Sequence, residues 1–118
     1  MSRAITGRVA EDAVEASLRS RGFQIVGRNV RVGRLELDVV ARRGRLFVVC
    51  EVRARRGDFV DPAYTFDRRK QERVRRAALS YWAAHGRGTQ LRLDAAAVTF
   101  DAEGAPVIRY FENVFCDG

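Results

Sequence analysis

The sequence predicts an α/β fold with the element order α-β-β-β-α-β-β and a central mixed sheet. Two segments repeat apolar residues with helical spacing, and five short segments are rich in β-branched and aromatic residues. Helices that alternate with groups of strands are typical of a sheet covered by helices. With 118 residues and no repeat or Pro/Ser-rich linker, the chain is predicted to form one domain over 1–118.

The first helix is predicted over Thr6 to Arg21, where Ala10, Val14 and Leu18 recur at a spacing of four and Gly22 follows as the C′ residue. The second helix is predicted from about Thr65 to His85. Its apolar stripe, which includes one lysine, consists of Phe66, Lys70, Val74, Ala77, Ala78, Tyr81 and Trp82.

Five strands are predicted: residues 23–31, 35–41, 46–55, 90–100 and 107–111. In the second strand, strict alternation predicts that Leu35, Leu37, Val39 and Ala41 share one face. The third strand is almost continuously apolar until Glu51, which is typical of a central strand buried on both faces.

The composition restricts the possible functions. A chain with 47% hydrophobic and 31% charged residues has enough apolar material for a core, and no segment of it is long and apolar enough to cross a bilayer. The net charge of +7 and the pI near 10.6 favour a polyanionic partner, although ordinary solubility is the alternative. Cys50 and Cys116 lack metal-ligand spacing, so we expect a reducing cytoplasmic location and no structural zinc.

A hairpin between the second and third strands brings acidic residues together. A two-residue loop at Arg43 and Gly44 predicts that Asp38 faces Val49 and that Glu36 faces Glu51. On that register, one face carries Glu36, Asp38, Glu51 and Arg53. Carboxylates placed directly opposite each other repel, so a cation is expected between them, and Mg²⁺ prefers such oxygen ligands. The alternative is a solvated strand face neutralised by Arg34, Arg53 and Arg55, and a three-residue loop would reverse the parity.

Two groups of basic residues predict a surface for a phosphate backbone. One group follows the third strand and contains Arg53, Arg55 and Arg56, and the other lies in the first turns of the second helix and contains Arg68, Arg69, Arg73, Arg75 and Arg76. Backbone and shape recognition is expected, with little sequence specificity. The alternative is a solvated face paired with Asp67 and Glu72. Phe59 and Tyr64 are candidates for stacking on unpaired bases or for covering a core edge.

Several segments together resemble a known family, and the match covers nearly the whole chain. These segments are Glu36-Leu37-Asp38-Val39-Val40, Val49-Cys50-Glu51-Val52-Arg53, Lys70, Arg92-Leu93-Asp94 and Asn113-Val114-Phe115. They resemble the YraN-like uncharacterised protein family numbered 0102, which is itself similar to the restriction-endonuclease-like PD-(D/E)XK nucleases and above all to the archaeal-type Holliday junction resolvases. The resemblance implies a restriction-endonuclease-like sandwich and an Mg²⁺- or Mn²⁺-dependent nuclease. It also implies a homodimer that acts on branched or structured DNA.

Carried over by resemblance, Glu11 is the helical acid, Asp38 and Glu51 are metal ligands, and the Val52 carbonyl is a third ligand. Taken alone, Glu11 reads as an ordinary surface glutamate at the edge of the buried helix face. Leu35 stands where the family usually has glycine.

Arg53 replaces the motif lysine. A guanidinium does not accept a proton at neutral pH, so Arg53 is expected to stabilise developing charge instead of acting as a base. Lys70 is the candidate for supplying an ammonium group near the site, and the alternative is a lysine that extends past apolar neighbours to solvent. Two rival functions remain open: a catalytically silent nucleic-acid-binding module of the same fold and a protein-interaction scaffold.

Overall fold

The computed structural model describes residues 3–54 and 68–114, with only the backbone of residues 3–5. Its elements, in chain order, are α1 (Arg3–Ser20), β1 (Gln24–Val32), β2 (Leu35–Arg43), β3 (Leu46–Ala54), α2 (Arg68–His85), β4 (Gln90–Phe100) and β5 (Pro106–Phe111). The predicted α/β class and element order are confirmed. The predicted beginning of the second helix at Thr65 lies outside the described residues.

Helix α1 ends as its sequence predicts. Gly22 adopts a φ of 88°, a left-handed conformation that glycine reaches without a side-chain clash. The Gly22 N–H donates to the Arg19 carbonyl at 3.0 Å, and the Phe23 N–H donates to the Leu18 carbonyl at 3.0 Å. These two bonds form a Schellman motif, which satisfies the last carbonyls of the helix and turns the chain into β1.

The five strands form one mixed sheet in the order β1-β2-β3-β4-β5. Strands β3 and β4 are parallel, and the chain passes between them through α2, whereas the other neighbours are antiparallel. Strand β3 is therefore central, as its apolar sequence predicts. Neither helix in the described part of the chain combines the length and apolar character needed to span a membrane.

A hydrophobic core lies on each face of the sheet. Helix α1 buries Ala10, Val14 and Leu18 on one face, and α2 buries Val74, Ala77 and Ala78 on the other. The central strand contributes to both cores by alternation: Phe47 and Val49 pack with α2, while Val48 and Cys50 pack with α1. The result is a sheet between two helices, in which Val52 and Ala54 at the end of β3 still pack against the margin of the core under α1.

The register of the β2–β3 hairpin differs from the predicted one by two residues. The loop consists of Gly44 and Arg45, so that Arg43 pairs with Leu46 and Val39 pairs with Cys50. The predicted pairings of Asp38 with Val49 and of Glu36 with Glu51 are therefore wrong. A shift of two residues preserves the parity of the cross-strand pairing, so Asp38 and Glu51 still converge.

The alternation of β2 is interrupted at Asp38. Leu37 and Val40 both pack in the core under α2, whereas Val39 and Ala41 pack in the core under α1. The prediction that Leu35, Leu37, Val39 and Ala41 share one face is therefore wrong, because the chain changes face between positions 37 and 39.

Asp38 is also the one residue of β2 with no Cα partner in the register of either neighbouring strand. Beside this position, Asn29 of β1 has a φ of 49°. A left-handed residue does not continue an extended strand, so the regular pairing is interrupted here on the β1 side as well. The sheet is thus locally open around Asp38.

Candidate active site

Asp38 and Glu51 face each other across the end of the β2–β3 ladder. The Asp38 N–H donates to Glu51 Oε2 at 3.2 Å, and the Val52 N–H donates to Asp38 Oδ2 at 2.8 Å. Each carboxylate therefore takes the place of a main-chain acceptor on the opposite strand. This exchange fixes both side chains against the backbone and holds them on the same side of the opening.

Burial changes the acidity of this pair. Removal from water, followed by the charge of Asp38, raises the pKa of Glu51 to about 8, although Lys70 and Arg53 oppose the shift. Glu51 is only 5% exposed. Burial also raises the pKa of Asp38 to about 6. The hydrogen bond from the Val52 N–H favours the ionised carboxylate and therefore opposes this rise. Two interacting carboxyls resist ionising together, so the pair loses its protons at a higher pH than two exposed acids would.

A pocket of about 440 Å³ opens over the two carboxylates. Its charged lining combines three acids with four cations: Glu36, Asp38, Glu51, Arg31, Arg34, Arg53 and Lys70. Arg53 follows Glu51 on β3, and Lys70 reaches the pocket from the first turns of α2. Strands β1, β2 and β3, the β1–β2 turn and the beginning of α2 therefore supply one site that combines acidic and cationic side chains.

Glu11 occupies a position beside this pocket and not in its lining. Glu11 Oε1 accepts hydrogen bonds from Arg28 Nη2 at 3.1 Å and from Asn29 Nδ2 at 3.2 Å. Its negative charge also raises the pKa of Asp38. The structure thus brings the predicted helical acid into electrostatic range of Asp38, with Arg28 holding it against β1.

The donor chemistry of the opening fits a hard divalent cation. Asp38 and Glu51 are converging carboxylates, each with lone pairs beyond the one used on the backbone, and Mg²⁺ commonly takes one or two carboxylates together with waters and phosphate oxygens. Val52, whose carbonyl is the third predicted ligand, also lines the pocket. Within residues 3–54 and 68–114, no group of three or more His, Cys, Asp or Glu side chains is arranged to hold a metal. A cation here would therefore depend on two carboxylates.

The predicted nucleic-acid contacts divide between described and undescribed residues. Arg68, Arg69, Arg73 and Arg76 are exposed on α2. Arg76 Nη2 lies 3.5 Å from Glu72 Oε1, and both side chains are more than two thirds exposed, so this pair is weak. Arg55, Arg56, Phe59 and Tyr64 fall in the segment 55–67, which lies outside the described residues.

Sequence reasoning missed one cation of the pocket, Arg31. It lines the pocket together with Arg34, which the sequence places among the arginines that neutralise the acidic strand face. Arg31 Nη2 lies 3.7 Å from Glu36 Oε1 in the adjacent strand. The available signal was the two-residue gap between β1 and β2, which places Arg31 opposite Glu36 in the hairpin register.

Sequence reasoning also missed a polar cluster around a buried acid, Asp94. This side chain is 0% exposed and accepts hydrogen bonds from the Arg92 guanidinium, the Tyr110 hydroxyl and the Asn113 N–H. These hydrogen bonds compensate for the burial of the charged carboxylate, and they join β4, β5 and the residues that follow β5. We assign Asp94 to the fold, since it does not line the pocket.

Comparison with known proteins places this chain in a family. The model of the uncharacterised protein family UPF0102 matches residues 10–98. The chain belongs to the UPF0102 family. It is 44% identical over 119 residues to a UPF0102 protein of Sorangium cellulosum, a match that covers 97% of this chain and 83% of that protein. It is 37% identical to a UPF0102 protein of Streptomyces coelicolor, with 96% and 90% coverage, and 38% identical to one of Pelotomaculum thermopropionicum, with 97% and 98% coverage.

The matched segment of this UPF0102 chain includes the whole candidate site. Residues 10–98 contain Glu11, Asp38, Glu51 and Lys70. They also contain Arg92 and Asp94, whereas the hydrogen-bond partners on and after β5 lie beyond the match. The elements that line the pocket, namely the β1–β2 turn, the β2–β3 hairpin and the beginning of α2, therefore all lie within the matched segment.

Proposed function

We propose that this UPF0102 chain is a cytoplasmic, divalent-cation-dependent nuclease of the PD-(D/E)XK type that hydrolyses phosphodiesters in branched or structured DNA. The arrangement of Asp38 and Glu51 carries the proposal. A buried carboxylate, Glu51, and a half-buried one, Asp38, both with raised pKa values, face a pocket that also contains four cationic side chains. Stability alone does not explain why acids that destabilise each other lie in an opening of the sheet.

The residues of the pocket divide into those that hold a cation and those that hold a phosphate. Asp38 and Glu51, together with the Val52 carbonyl, would hold Mg²⁺ or Mn²⁺. When bound, such an ion polarises a phosphoryl oxygen as a Lewis acid. Arg53 and Lys70 bring positive charge to the same pocket, where they orient the phosphate and stabilise the charge that develops on its oxygens.

The cationic side chains of α2 extend this interface. Exposed Arg68, Arg69, Arg73 and Arg76 provide phosphate contacts along the helix. Arginines that contact only the backbone read duplex shape and strand polarity and not base identity. A homodimer belongs to the same proposal, because a four-way junction presents two symmetry-related strands and a two-fold pair of sites matches them.

A second candidate function is a catalytically silent nucleic-acid-binding module of the same fold. One observation favours it: Arg53 lines the pocket next to Glu51, where a lysine is expected in an active nuclease. An arginine retains the positive charge but does not exchange a proton near neutral pH. The module would bind DNA through the same cations without hydrolysing it.

A cleavage assay separates the two candidates. The purified chain is incubated with four-way junctions, flaps and single strands in Mg²⁺ or Mn²⁺, alongside Asp38→Asn, Glu51→Gln and the control variant Glu103→Gln, which changes an exposed glutamate in the β4–β5 turn. The nuclease proposal expects cleavage by the wild type and by Glu103→Gln, and a loss of at least about 100-fold in the two pocket variants.

Arg53→Lys completes the assay. If the wild type binds junctions in a gel-shift salt series without cleaving them, and Arg53→Lys restores no cleavage, the silent module is supported and the nuclease proposal is wrong. If neither protein binds DNA, both proposals are wrong and a protein-interaction scaffold is left.

A further inference from the structure

A second groove lies beside the pocket, between the β1–β2 turn and α2, with a volume of about 370 Å³. Arg34 and Leu35 line both the pocket and this groove, so the two spaces adjoin at the turn. A chain-like ligand with one unit over Asp38 and Glu51 can therefore continue past Arg34 into the groove.

The groove combines an apolar floor with a cationic rim. Val32, Leu35 and Ala77 form the floor, and the first two of these also pack against the core under α2. The rim consists of Arg34, Arg73 and Arg76, all of which are exposed. The described lining contains no acidic side chain, and Arg76 has only the weak, exposed pair with Glu72.

This lining matches one particular form of nucleic acid. Phosphates suit the three arginines, but an apolar floor gains nothing from a duplex, which keeps the faces of its bases inside its own stack. An unpaired nucleotide offers both parts, since its base has an apolar face and its phosphate is anionic. The size of the groove suits a single small ligand unit.

We propose that this groove binds an unpaired nucleotide next to the phosphate held over Asp38 and Glu51, so that the protein recognises a junction between single-stranded and paired nucleic acid. The inference rests on the proposed nucleic-acid function of the same face and names its substrate class: a strand with at least one unpaired nucleotide beside the scissile position, as in a flap, a fork or an opened branch point.

Binding is measured without divalent cations, so that it does not depend on cleavage. Fluorescence anisotropy in EDTA compares a short single-stranded oligonucleotide, a blunt duplex of the same sequence and a flap, each over a salt series. Arg34→Ala and Arg73→Ala are expected to weaken single-strand and flap binding about tenfold and to reduce the salt slope by about 0.7 per lost phosphate contact. The matched control is Arg8→Ala, which removes one exposed cation from α1 on the other face of the sheet.

A charge-neutral variant tests the groove itself. Ser80 lines the groove on exposed α2, so Ser80→Phe fills the space while keeping every arginine. Ala83→Phe on the same helix, outside the lining, is its control. We expect Ser80→Phe to lose single-strand and flap binding while retaining duplex binding, and Ala83→Phe to behave like the wild type.

Three results would overturn the inference: equal losses in Arg34→Ala and Arg8→Ala, unchanged single-strand affinity in Ser80→Phe, or displacement of the oligonucleotide by a polyglutamate peptide of equal charge. The last result would mean that charge alone is recognised. Groove-dependent binding without cleavage in Mg²⁺ or Mn²⁺ would leave this inference standing and contradict the nuclease. Cleavage that is unaffected by Ser80→Phe would support the nuclease and contradict this inference.

Discussion

Asp38 and Glu51 each accept a backbone hydrogen bond from the other's strand, at 3.2 Å to Glu51 Oε2 and 2.8 Å to Asp38 Oδ2. The two acids are therefore joined through the main chain and do not simply lie near each other. Their shared burial raises both pKa values. Measurable consequences follow for stability, for ion binding and for the neighbouring charge clusters.

The metal-free protein is expected to lose stability as the pH rises from about 4 to about 8. The pKa values of Asp38 and Glu51 rise from 3.8 and 4.5 to about 6 and about 8, so in this range the folded state binds more protons than the unfolded chain. The free energy of unfolding therefore falls with rising pH. Glu51→Gln imitates the neutral acid, and we expect it to exceed the wild type at pH 8 by roughly 1–3 kcal/mol in urea denaturation in EDTA.

Glu36→Gln serves as the control for this experiment, because Glu36 lines the same pocket but is about half exposed. It should leave the pH slope close to that of the wild type. An equal slope in Glu51→Gln and the wild type would show that Glu51 does not carry a raised pKa.

Mg²⁺ or Mn²⁺ is expected to raise the melting temperature. Saturation of a site present only in the folded state stabilises it by about 2.7 kcal/mol at an ion concentration 100 times the Kd, which amounts to several degrees for a chain of this size. The shift should be larger at pH 8 than at pH 6, because protons compete for the same carboxylates.

Differential scanning fluorimetry with Asp38→Asn and Glu51→Gln measures this effect, with Glu103→Gln as the control. A shift of equal size in all four proteins would place the ion elsewhere. No shift in the wild type at millimolar ion would contradict the metal site.

Arg28 is expected to be the most important cation for attaching α1 to the sheet. It contacts Asp12 at 2.7 Å, Glu11 at 3.1 Å and Glu15 at 3.4 Å, and its side chain is 24% exposed. Arg28→Met should cost about 1–3 kcal/mol, since it leaves three neighbouring carboxylates without their shared cation. Arg19→Met removes only the exposed pair with Glu15 and should cost less than about 0.5 kcal/mol. Equal urea midpoints for the two variants would disprove this role of Arg28.

Asp94 is expected to be among the residues least tolerant of substitution. Asp94→Ala removes the common acceptor of three donors in a fully buried position, and we expect a loss of about 3–5 kcal/mol. Tyr110→Phe removes one donor and should cost about 1 kcal/mol. A double-mutant cycle in guanidinium chloride measures the coupling, and strictly additive losses would mean that the Tyr110–Asp94 bond contributes nothing.

Much of the fold could be predicted because the apolar periodicity is local. The spacing of Ala10, Val14 and Leu18 and the apolar run before Glu51 determine a helix and a central strand without long-range information. The convergence of Asp38 and Glu51 could also be predicted, because cross-strand parity survives an error of two residues in the register. The choice between Arg43-Gly44 and Gly44-Arg45 could not, since both are glycine-containing two-residue loops.

Other features had no local signal. The opening at Asp38 lies where Asn29 of β1 has a left-handed φ and Asp38 has no partner in either neighbouring strand, so it depends on three strands together. The Asp94 cluster joins residues up to 19 positions apart and could be recognised only after the sheet order was known. Glu11 has the helical position that the resemblance implies, but its hydrogen bond from Arg28 forms only because β1 packs beside α1.

Where main-chain pairing is interrupted around position 38, the N–H groups of Asp38 and Val52 bind the two carboxylates instead, and this holds the acids together in spite of their repulsion. Because backbone amides hold both carboxylates, the electrostatic cost is met during folding, and little rearrangement is left for the moment of ion capture. In the proposed cation site, such preorganisation would tie ion selectivity to the stiffness of the hairpin. A substitution far along β2 or β3 that loosens this hairpin would thus alter ion preference without touching either ligand.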